Sequence, residues 1–372
     1  MKNKITGVLL AVAVIAVASC GGDNNAVEDA STSTTTEVEP GAPQGDDFYV
    51  PPSPLPDGKP GDIIWSDTVT SRNGLTLHKV LYLSTTVADE PTAVSGLIWV
   101  PDNVASNAPV LSYAHGTTGL GDQCAPSKNE GNGESASIAA PFVERGFIVV
   151  ATDYEGSGTP GVHPYVVGLS EARGTLDIIR AARNMTETSG QSIIWGHSQG
   201  GGAALITAEI APTYAPDTNV VGSVAGAGFE AAYPDIDLSE VLTEEGLNMV
   251  KTAAETCSEI HDLVRGKDPA LYIAKDPASV EPFATYLEAN TPGNVSTSVP
   301  IFVYHGENDE QIPVLGSKLY LERACVTGGS TILRKTYPNV GHVDVITAAQ
   351  SDIVAWIEQR LAGTPAQFTP CD

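Results

Sequence analysis

The hydrophobic positions of the chain form short apolar runs that alternate with stretches of helical periodicity. Several of the apolar runs are continuous, which is typical of strands buried on both faces. The predicted strands are 75–83, 94–100, 110–114, 147–151, 192–195, 220–225, 301–304 and 331–336. The predicted helices are 135–145, 169–184, 199–210, 314–325 and 345–361. This alternation predicts an α/β fold with one mostly parallel central sheet flanked by helices.

The alternation stops between residues 229 and 298, where the pattern becomes mostly helical over 238–250, 253–264 and 278–289. Roughly 70 residues are too many for a simple loop. We expect an inserted helical cap over the carboxyl edge of the sheet, where such folds bind ligands. A peripheral structural insertion is the alternative.

The first residues have the pattern of an export signal. Lys2 and Lys4 precede an apolar run over residues 5–17, which is shorter than the roughly 20 residues of a membrane span. We therefore predict a signal peptide over 1–19. The sequence Val17-Ala18-Ser19-Cys20 resembles a bacterial lipobox, which implies acylation of Cys20 and, with Gly21 following, an outer-membrane location. A plain signal peptide that ends near a cysteine is the alternative.

Residues 20–46 are small, polar and acidic without apolar periodicity, which predicts a flexible tether ahead of one folded domain over 47–372. We expect an exported protein, lipid-anchored at the outer membrane or cell surface through its N-terminus only. The simplest expectation for its oligomeric state is a monomer.

Composition narrows the possible partners. The chain has 45 acidic and 19 basic residues, a formal charge of -26, and 42% hydrophobic residues, which suffice for a large core. This excess of acidic residues argues against nucleic-acid binding, which needs a basic surface, and against electrostatic docking to anionic lipids.

Four cysteines remain after Cys20: Cys124, Cys257, Cys325 and Cys371. An even number in an exported chain predicts two disulfides with three possible connectivities, and four buried thiols are the alternative. No pair has the C-x-x-C spacing of a zinc site, so we predict no metal.

The strongest chemical motif is Gly196-His197-Ser198-Gln199-Gly200, between a predicted strand and a predicted helix. G-x-S-x-G in this setting is the nucleophile elbow, a tight turn that lifts a serine hydroxyl above the sheet at a helix N-terminus. We predict Ser198 as a catalytic nucleophile, provided that a base and an orienting acid follow it in the chain.

Both partners follow in the expected order. Asp309 lies in the loop after the strand 301–304, and His342 lies between the last strand and the last helix. We predict His342 as general base and Asp309 as the acid that orients it. Glu307 and Glu310 are alternatives to Asp309. The other histidines are interpreted as structural or lack a partner pattern: His78, His163, His197, His261 and His305.

A tetrahedral intermediate also needs donors for its oxyanion. The backbone N–H of Gln199 is one candidate, because it follows the nucleophile. The second is Thr117, in the loop His115-Gly116-Thr117-Thr118-Gly119 after the strand 110–114. A glycine-rich connector without a donor role is the alternative.

Separated motifs then point to a family. They are Asp47-Phe48-Tyr49-Val50-Pro51-Pro52, Lys59-Pro60-Gly61-Asp62, Cys124-Ala125-Pro126-Ser127, Asp153-Tyr154-Glu155-Gly156, the elbow, the acid loop and Gly341-His342. With this set, roughly residues 46–362 resemble secretory lipases of the lipase A type, within the α/β-hydrolase superfamily. The resemblance implies a helical cap over an acyl pocket, and disulfides Cys124–Cys257 and Cys325–Cys371.

The resulting hypothesis is a serine carboxylic-ester hydrolase (an esterase or lipase) that works through an acyl-enzyme on Ser198, needs no cofactor, and takes small-molecule or lipid esters. Two alternatives are a serine amidase or peptidase on the same triad, and a non-catalytic surface binding protein with this fold.

Overall fold

The computed structural model describes residues 41–72, 74–129, 132–228, 238–257, 263 and 266–371. The predicted signal peptide, Cys20 and residues 20–40 of the tether lie outside these ranges. The last residues of the predicted tether lie inside them. Gly45–Tyr49 forms a 3₁₀ turn, and Asp46 pairs with Lys128 at 2.9 Å. The last residues of the predicted tether thus contact the folded domain next to the predicted boundary at residue 47.

In the described part of the chain, nine strands form one sheet in the order β1-β2-β3-β5-β4-β6-β7-β8-β9. The pairs β1–β2, β2–β3 and β3–β5 are antiparallel, and the remaining pairs are parallel. The strands are β1 Ile63–Arg72, β2 Leu75–Thr85, β3 Pro91–Pro101, β4 Val110–Ala114, β5 Ile148–Thr152, β6 Ser192–His197, β7 Val220–Gly226, β8 Ile301–Gly306 and β9 Ile332–Tyr337.

Helices cover both faces of this sheet. The α-helices with described bounds are α1 Glu134–Val143, α2 Gly168–Thr186, α3 Gln199–Tyr214, α4 Glu244–Glu255, α5 Phe283–Ala289, α6 Leu315–Thr327 and α7 Asp344–Leu361. Buried side chains of α2, α3 and α6 pack on one face, and those of α1 and α7 pack on the other. Two helical layers around a mostly parallel sheet confirm the predicted fold class.

The central strands consist mostly of continuous apolar sequence, which is why they lie in the middle of the sheet with both faces buried. All residues of β4, β5, β6 and β8 are buried. The edge strand β1 was not predicted. Residues 63–70 are all half-buried or exposed, because β1 pairs with a strand on one side only. Its sequence therefore lacks a strong apolar pattern.

The described residues of the segment 229–298 correct two predicted helices. The helix predicted over 238–250 begins only at Glu244, because Thr243 accepts the N–H of Gly246 at 3.0 Å and caps the helix there. The helix predicted over 278–289 begins only at Phe283, directly after Pro282, and Pro277–Ser279 forms a separate 3₁₀ turn. Most of the predicted helix 253–264 lies outside the described residues.

Two disulfides are present. Cys124–Cys257 joins the segment after β4 to the end of α4, across 133 residues of sequence, and Cys325–Cys371 joins α6 to the C-terminal segment. Within the described ranges, none of the helices combines the length and the apolar character needed to cross a membrane.

Candidate active site

The turn from β6 to α3 holds Ser198 in an unusual backbone conformation, with φ 57° and ψ −122°. A side chain at Gly200 would place its Cβ 1.8 Å from the carbonyl oxygen of Ala114. A side chain at Gly196 would place its Cβ 1.9 Å from the carbonyl oxygen of Gly200. The two glycines are therefore required for the tight turn. Strained conformations of this kind cost about 1–3 kcal/mol and cluster at functional sites.

Three segments that are distant in sequence bring Ser198, His342 and Asp309 together. The Ser198 hydroxyl lies 2.9 Å from His342 Nε2, and His342 Nδ1 lies 2.7 Å from Asp309 Oδ2. His342 is only 3% exposed. Each residue follows the carboxyl end of a parallel strand (β6, β8 and β9), so the sheet topology places all three at one edge.

The carboxylate of Asp309 has donors on both oxygens. Its Oδ1 accepts the backbone N–H groups of Gln311 and Ile312 at 2.9 and 2.8 Å. Its Oδ2 also lies 3.2 Å from His305 Nε2. Burial would raise the pKa of Asp309, but the hydrogen bonds from His305, His342 and Ile312 outweigh it and hold that pKa well below its ordinary value.

The competing acids lie elsewhere. Glu307 accepts the hydroxyl of Thr336 at 2.8 Å. In the described part of the chain, neither Glu307 nor Glu310 makes a hydrogen bond to His342. His305 was interpreted as structural, and its contact with Asp309 could not be read from sequence, because it depends on how the acid loop folds back.

The two predicted oxyanion donors border the same region. Gln199 is the first residue of α3, so its N–H has no acceptor within the helix. Thr117 lines one cavity together with Ser198. The Thr117 hydroxyl is 2.8 Å from that of Tyr165, so its side chain is held in place.

The side chain of Gln199 is anchored in a buried polar cluster. Its amide donates to Glu171 at 2.7 Å and lies 3.1 Å from His163 Nε2. Burial raises the pKa of Glu171 to about 8 and lowers the pKa of His163 to about 4. Both groups are therefore neutral near pH 7. The sequence pattern shows no partner for His163, since this cluster forms only in the fold.

His197 packs beneath the elbow. Its Nδ1 lies 3.2 Å from the hydroxyl of Tyr304, and its ring centre lies 4.8 Å from that of His342. Burial, followed by the nearby charge of His342, lowers the pKa of His197 to about 3. His197 is thus a neutral packing residue.

A second buried carboxylate fixes the segment after β4. Asp153 accepts the backbone N–H of Ser127 at 2.9 Å and the hydroxyl of Ser95 at 2.6 Å. The Tyr49 hydroxyl lies 2.9 Å from that of Ser127. Three of the motifs that carry the family resemblance therefore meet in one hydrogen-bonded cluster.

A cavity of ≈ 210 Å³ opens beside Ser198 and His342. Its walls come from residues 115–118, from Pro126, Asn129 and residues 132–135, and from Val343 and Ile346. Among the described residues, no three His, Cys, Asp or Glu side chains gather as a metal-binding group.

The fold and the strained serine turn define an α/β-hydrolase. The secretory lipase family matches residues 132–236 and 275–368, more than half of the chain, and the protein belongs to that family. It is therefore a carboxylic ester hydrolase.

Several relatives span most of the chain. A secreted triacylglycerol lipase of Malassezia globosa is 29% identical over 384 residues, covering 87% of this chain and 82% of that protein. Lipase 6 of Candida albicans is 25% identical, with 87% and 82% covered. A probable inactive lipase of Mycobacterium tuberculosis is 25% identical, with 88% and 84% covered.

Solved structures share the fold. Candida antarctica lipase A in its closed state superposes with a TM-score of 0.74 at 21% identity, covering 86% of both chains. The rice cell wall degrading esterase LipA of Xanthomonas oryzae superposes with a TM-score of 0.67 at 19% identity, covering 83% of this chain and 100% of that one.

Proposed function

We propose that the protein hydrolyses carboxylic esters through an acyl-enzyme on Ser198, with His342 as general base and Asp309 as the orienting acid. The observation that carries this proposal is the continuous chain of contacts between the three side chains, 2.7 Å from Asp309 to His342 and 2.9 Å from His342 to Ser198. Both distances lie within the range for proton transfer.

In the first half of the reaction, His342 Nε2 takes the Ser198 proton while Oγ bonds to the ester carbonyl carbon. The carbonyl electrons move to the oxygen, where the N–H groups of Gln199 and Thr117 stabilise the negative charge. His342 then gives its proton to the leaving alcohol oxygen as the C–O bond breaks, which leaves the acyl group on Ser198.

In the second half, water attacks the acyl carbon and loses a proton to His342. The tetrahedral intermediate collapses, the Ser198 oxygen leaves with that proton, and the carboxylic acid departs. Asp309 stays ionised throughout, because its hydrogen bonds hold its pKa low. It fixes the Nδ1–H tautomer of His342 and stabilises the imidazolium.

Small-molecule or lipid esters are the proposed substrates. Relatives named triacylglycerol lipases support a lipid ester, and the disulfides support export to an oxidising compartment. The remaining organisation is part of the proposal: a signal peptide over 1–19, acylation of Cys20, a tether over 20–46, and a domain over 47–372 with a cap at about 229–298. The lipid would hold a monomer at the outer membrane or cell surface.

The test compares Ser198→Ala with Ser189→Ala, a matched change at an exposed serine, in protein purified without its signal. Hydrolysis of p-nitrophenyl butyrate should fall at least about 10³-fold in Ser198→Ala and stay unchanged in Ser189→Ala. Retained hydrolysis in Ser198→Ala contradicts the proposal. Faster turnover of the matching p-nitroanilide would instead favour an amidase, and no turnover by the wild type would favour a non-catalytic protein.

A further inference from the structure

The cavity beside Ser198 has an unusually polar wall for a site that would receive an apolar chain. Asn129, Asn132, Glu134 and Ser135 form this wall, and Thr118 lies in the oxyanion loop. We call these five residues the polar wall. Glu134 is the first residue of α1, and Ser135 follows it.

The polar wall has spare hydrogen-bonding capacity. Glu134 Oε1 accepts the hydroxyl of Tyr113 at 2.6 Å and the backbone N–H of Gly116 at 3.4 Å. Among the described residues, Glu134 Oε2 and the Ser135 hydroxyl make no hydrogen bond, although Ser135 is only 5% exposed. The side chains of Asn129 and Thr118 likewise have no partner in the described ranges.

A buried histidine adds to this set. His115 lines the cavity, is 3% exposed, and has no hydrogen-bond partner at Nε2 within the described structure. Buried polar atoms in native proteins are nearly always paired. Asn129, Asn132 and Glu134 are exposed and can pair with water, so the buried groups His115 Nε2 and Ser135 are the ones that indicate a polar ligand next to the nucleophile.

The geometry also indicates which part of the ester enters this cavity. His342 must protonate the leaving alcohol oxygen, so the alcohol lies on the His342 side of the scissile bond. His342 and the two residues Val343 and Ile346 form another part of the cavity lining. The group that fills the cavity while contacting His342 is thus the alcohol.

Size and charge narrow the class of alcohol. A volume of ≈ 210 Å³ is below the roughly 300–1,000 Å³ of sites for drug-sized ligands, so a small alcohol fits better than a whole triglyceride. Glu134 is the one carboxylate among the described lining residues, and no lysine or arginine is among them. An anionic alcohol would therefore be repelled, and an apolar one would leave the polar wall unpaired.

We propose that this cavity binds the leaving alcohol of the substrate, and that the preferred alcohol is small and carries further hydroxyl groups. Glu134 accepts one of these hydroxyls, and Ser135 and the two asparagines exchange hydrogen bonds with the others. This inference rests on the proposed function, because it takes His342 as the proton donor to the alcohol.

The test uses two esters with the same acyl group and the same three-carbon alcohol skeleton. Glycerol 1-monobutyrate has two free hydroxyls, and propyl butyrate has none. The kcat/KM of the wild type should favour the monobutyrate by about tenfold or more, since a site built for hydroxyls rejects analogues that lack them. Ser135→Ala and Glu134→Gln should each reduce this ratio by about threefold or more.

Glu144→Gln is the matched control, since Glu144 is an exposed carboxylate at the other end of α1 and lies outside the cavity lining. The ratio of kcat/KM for glycerol 1-monobutyrate to kcat/KM for propyl butyrate should be the same in Glu144→Gln as in the wild type. A wild-type ratio near one, or a ratio that neither Ser135→Ala nor Glu134→Gln changes, would overturn the assignment of the cavity. The proposed ester hydrolysis would still hold in that case, provided that Ser198→Ala abolishes hydrolysis of p-nitrophenyl butyrate. Failure of the wild type to hydrolyse these two esters and p-nitrophenyl butyrate would remove the proposed function itself.

Discussion

Replacement of Asp309 by asparagine isolates the role of the orienting acid, because the backbone fixes how the new amide must sit. The N–H groups of Gln311 and Ile312 both point at Oδ1, so the amide oxygen must occupy that position. The amide nitrogen then takes the place of Oδ2, 2.7 Å from His342 Nδ1. It donates to Nδ1, which forces the His342 proton onto Nε2.

A proton on Nε2 removes the acceptor that Ser198 needs, while the packing around the site stays nearly unchanged. The substituted amide also faces His305 Nε2, so a second favourable contact of the carboxylate is lost. In a Ser–His–Asp site the corresponding change lowers kcat by about 10⁴-fold. That factor corresponds to about 5 kcal/mol of transition-state stabilisation.

The assay is steady-state hydrolysis of p-nitrophenyl butyrate from about pH 5 to about pH 8, the range in which histidine ordinarily changes its charge. We expect kcat of Asp309→Asn to fall by about 10⁴-fold with a much smaller change in KM. Asp352→Asn is the control, since Asp352 is a carboxylate on α7 that contacts Lys335 and Tyr337 instead of the site. Retention of more than about a tenth of kcat, or an equal loss in Glu310→Gln, would refute the assignment of Asp309.

Three further changes test other parts of the structure. Burial raises the pKa of Glu171 from its ordinary 4.5 to about 8, so the native state binds this proton more tightly and loses stability as the pH rises from about 4.5 to about 8. Urea unfolding should show a smaller loss of stability over this range in Glu171→Gln than in the wild type, and part of the slope should remain because burial also raises the pKa values of Asp177 and Glu209. Gly200→Ala should lower both the soluble yield and the melting temperature, because its Cβ would lie 1.8 Å from the carbonyl oxygen of Ala114. Replacing Cys124 and Cys257 together by serine should reduce the free energy of unfolding by about 2–5 kcal/mol, since a link across 133 residues is lost; a melting temperature equal to that of the wild type would argue against a stabilising link.

Much of the sheet could be predicted because central strands bury both faces. The runs at 110–114, 192–195 and 301–304 coincide with β4 and with the starts of β6 and β8, to within two residues at the ends. The positions after these strands could also be predicted, because parallel strands bring their carboxyl ends to one edge. The close approach of Asp309 and His342 follows from that rule.

Other features depend on tertiary contacts, which cannot be predicted from the local sequence pattern. The edge strand β1 has apolar residues only at Ile63, Ile64, Trp65 and Val69, and they do not alternate regularly along it. His163 and Glu171 meet Gln199 only after α2 and α3 pack together. Helices α4 and α5 begin directly after Thr243 and Pro282, and the apolar periodicity around these residues does not mark those starts.

Covalent trapping of the nucleophile is the most direct test that Ser198 attacks the ester. The protein would be treated with a fluorophosphonate, digested, and analysed by mass spectrometry to locate the adduct. We expect one adduct per chain, on the peptide that contains Ser198, formed in step with the loss of esterase activity and sharply slowed in Asp309→Asn. An adduct on a different residue, or full loss of activity without modification of Ser198, would contradict the assignment of Ser198 as the nucleophile.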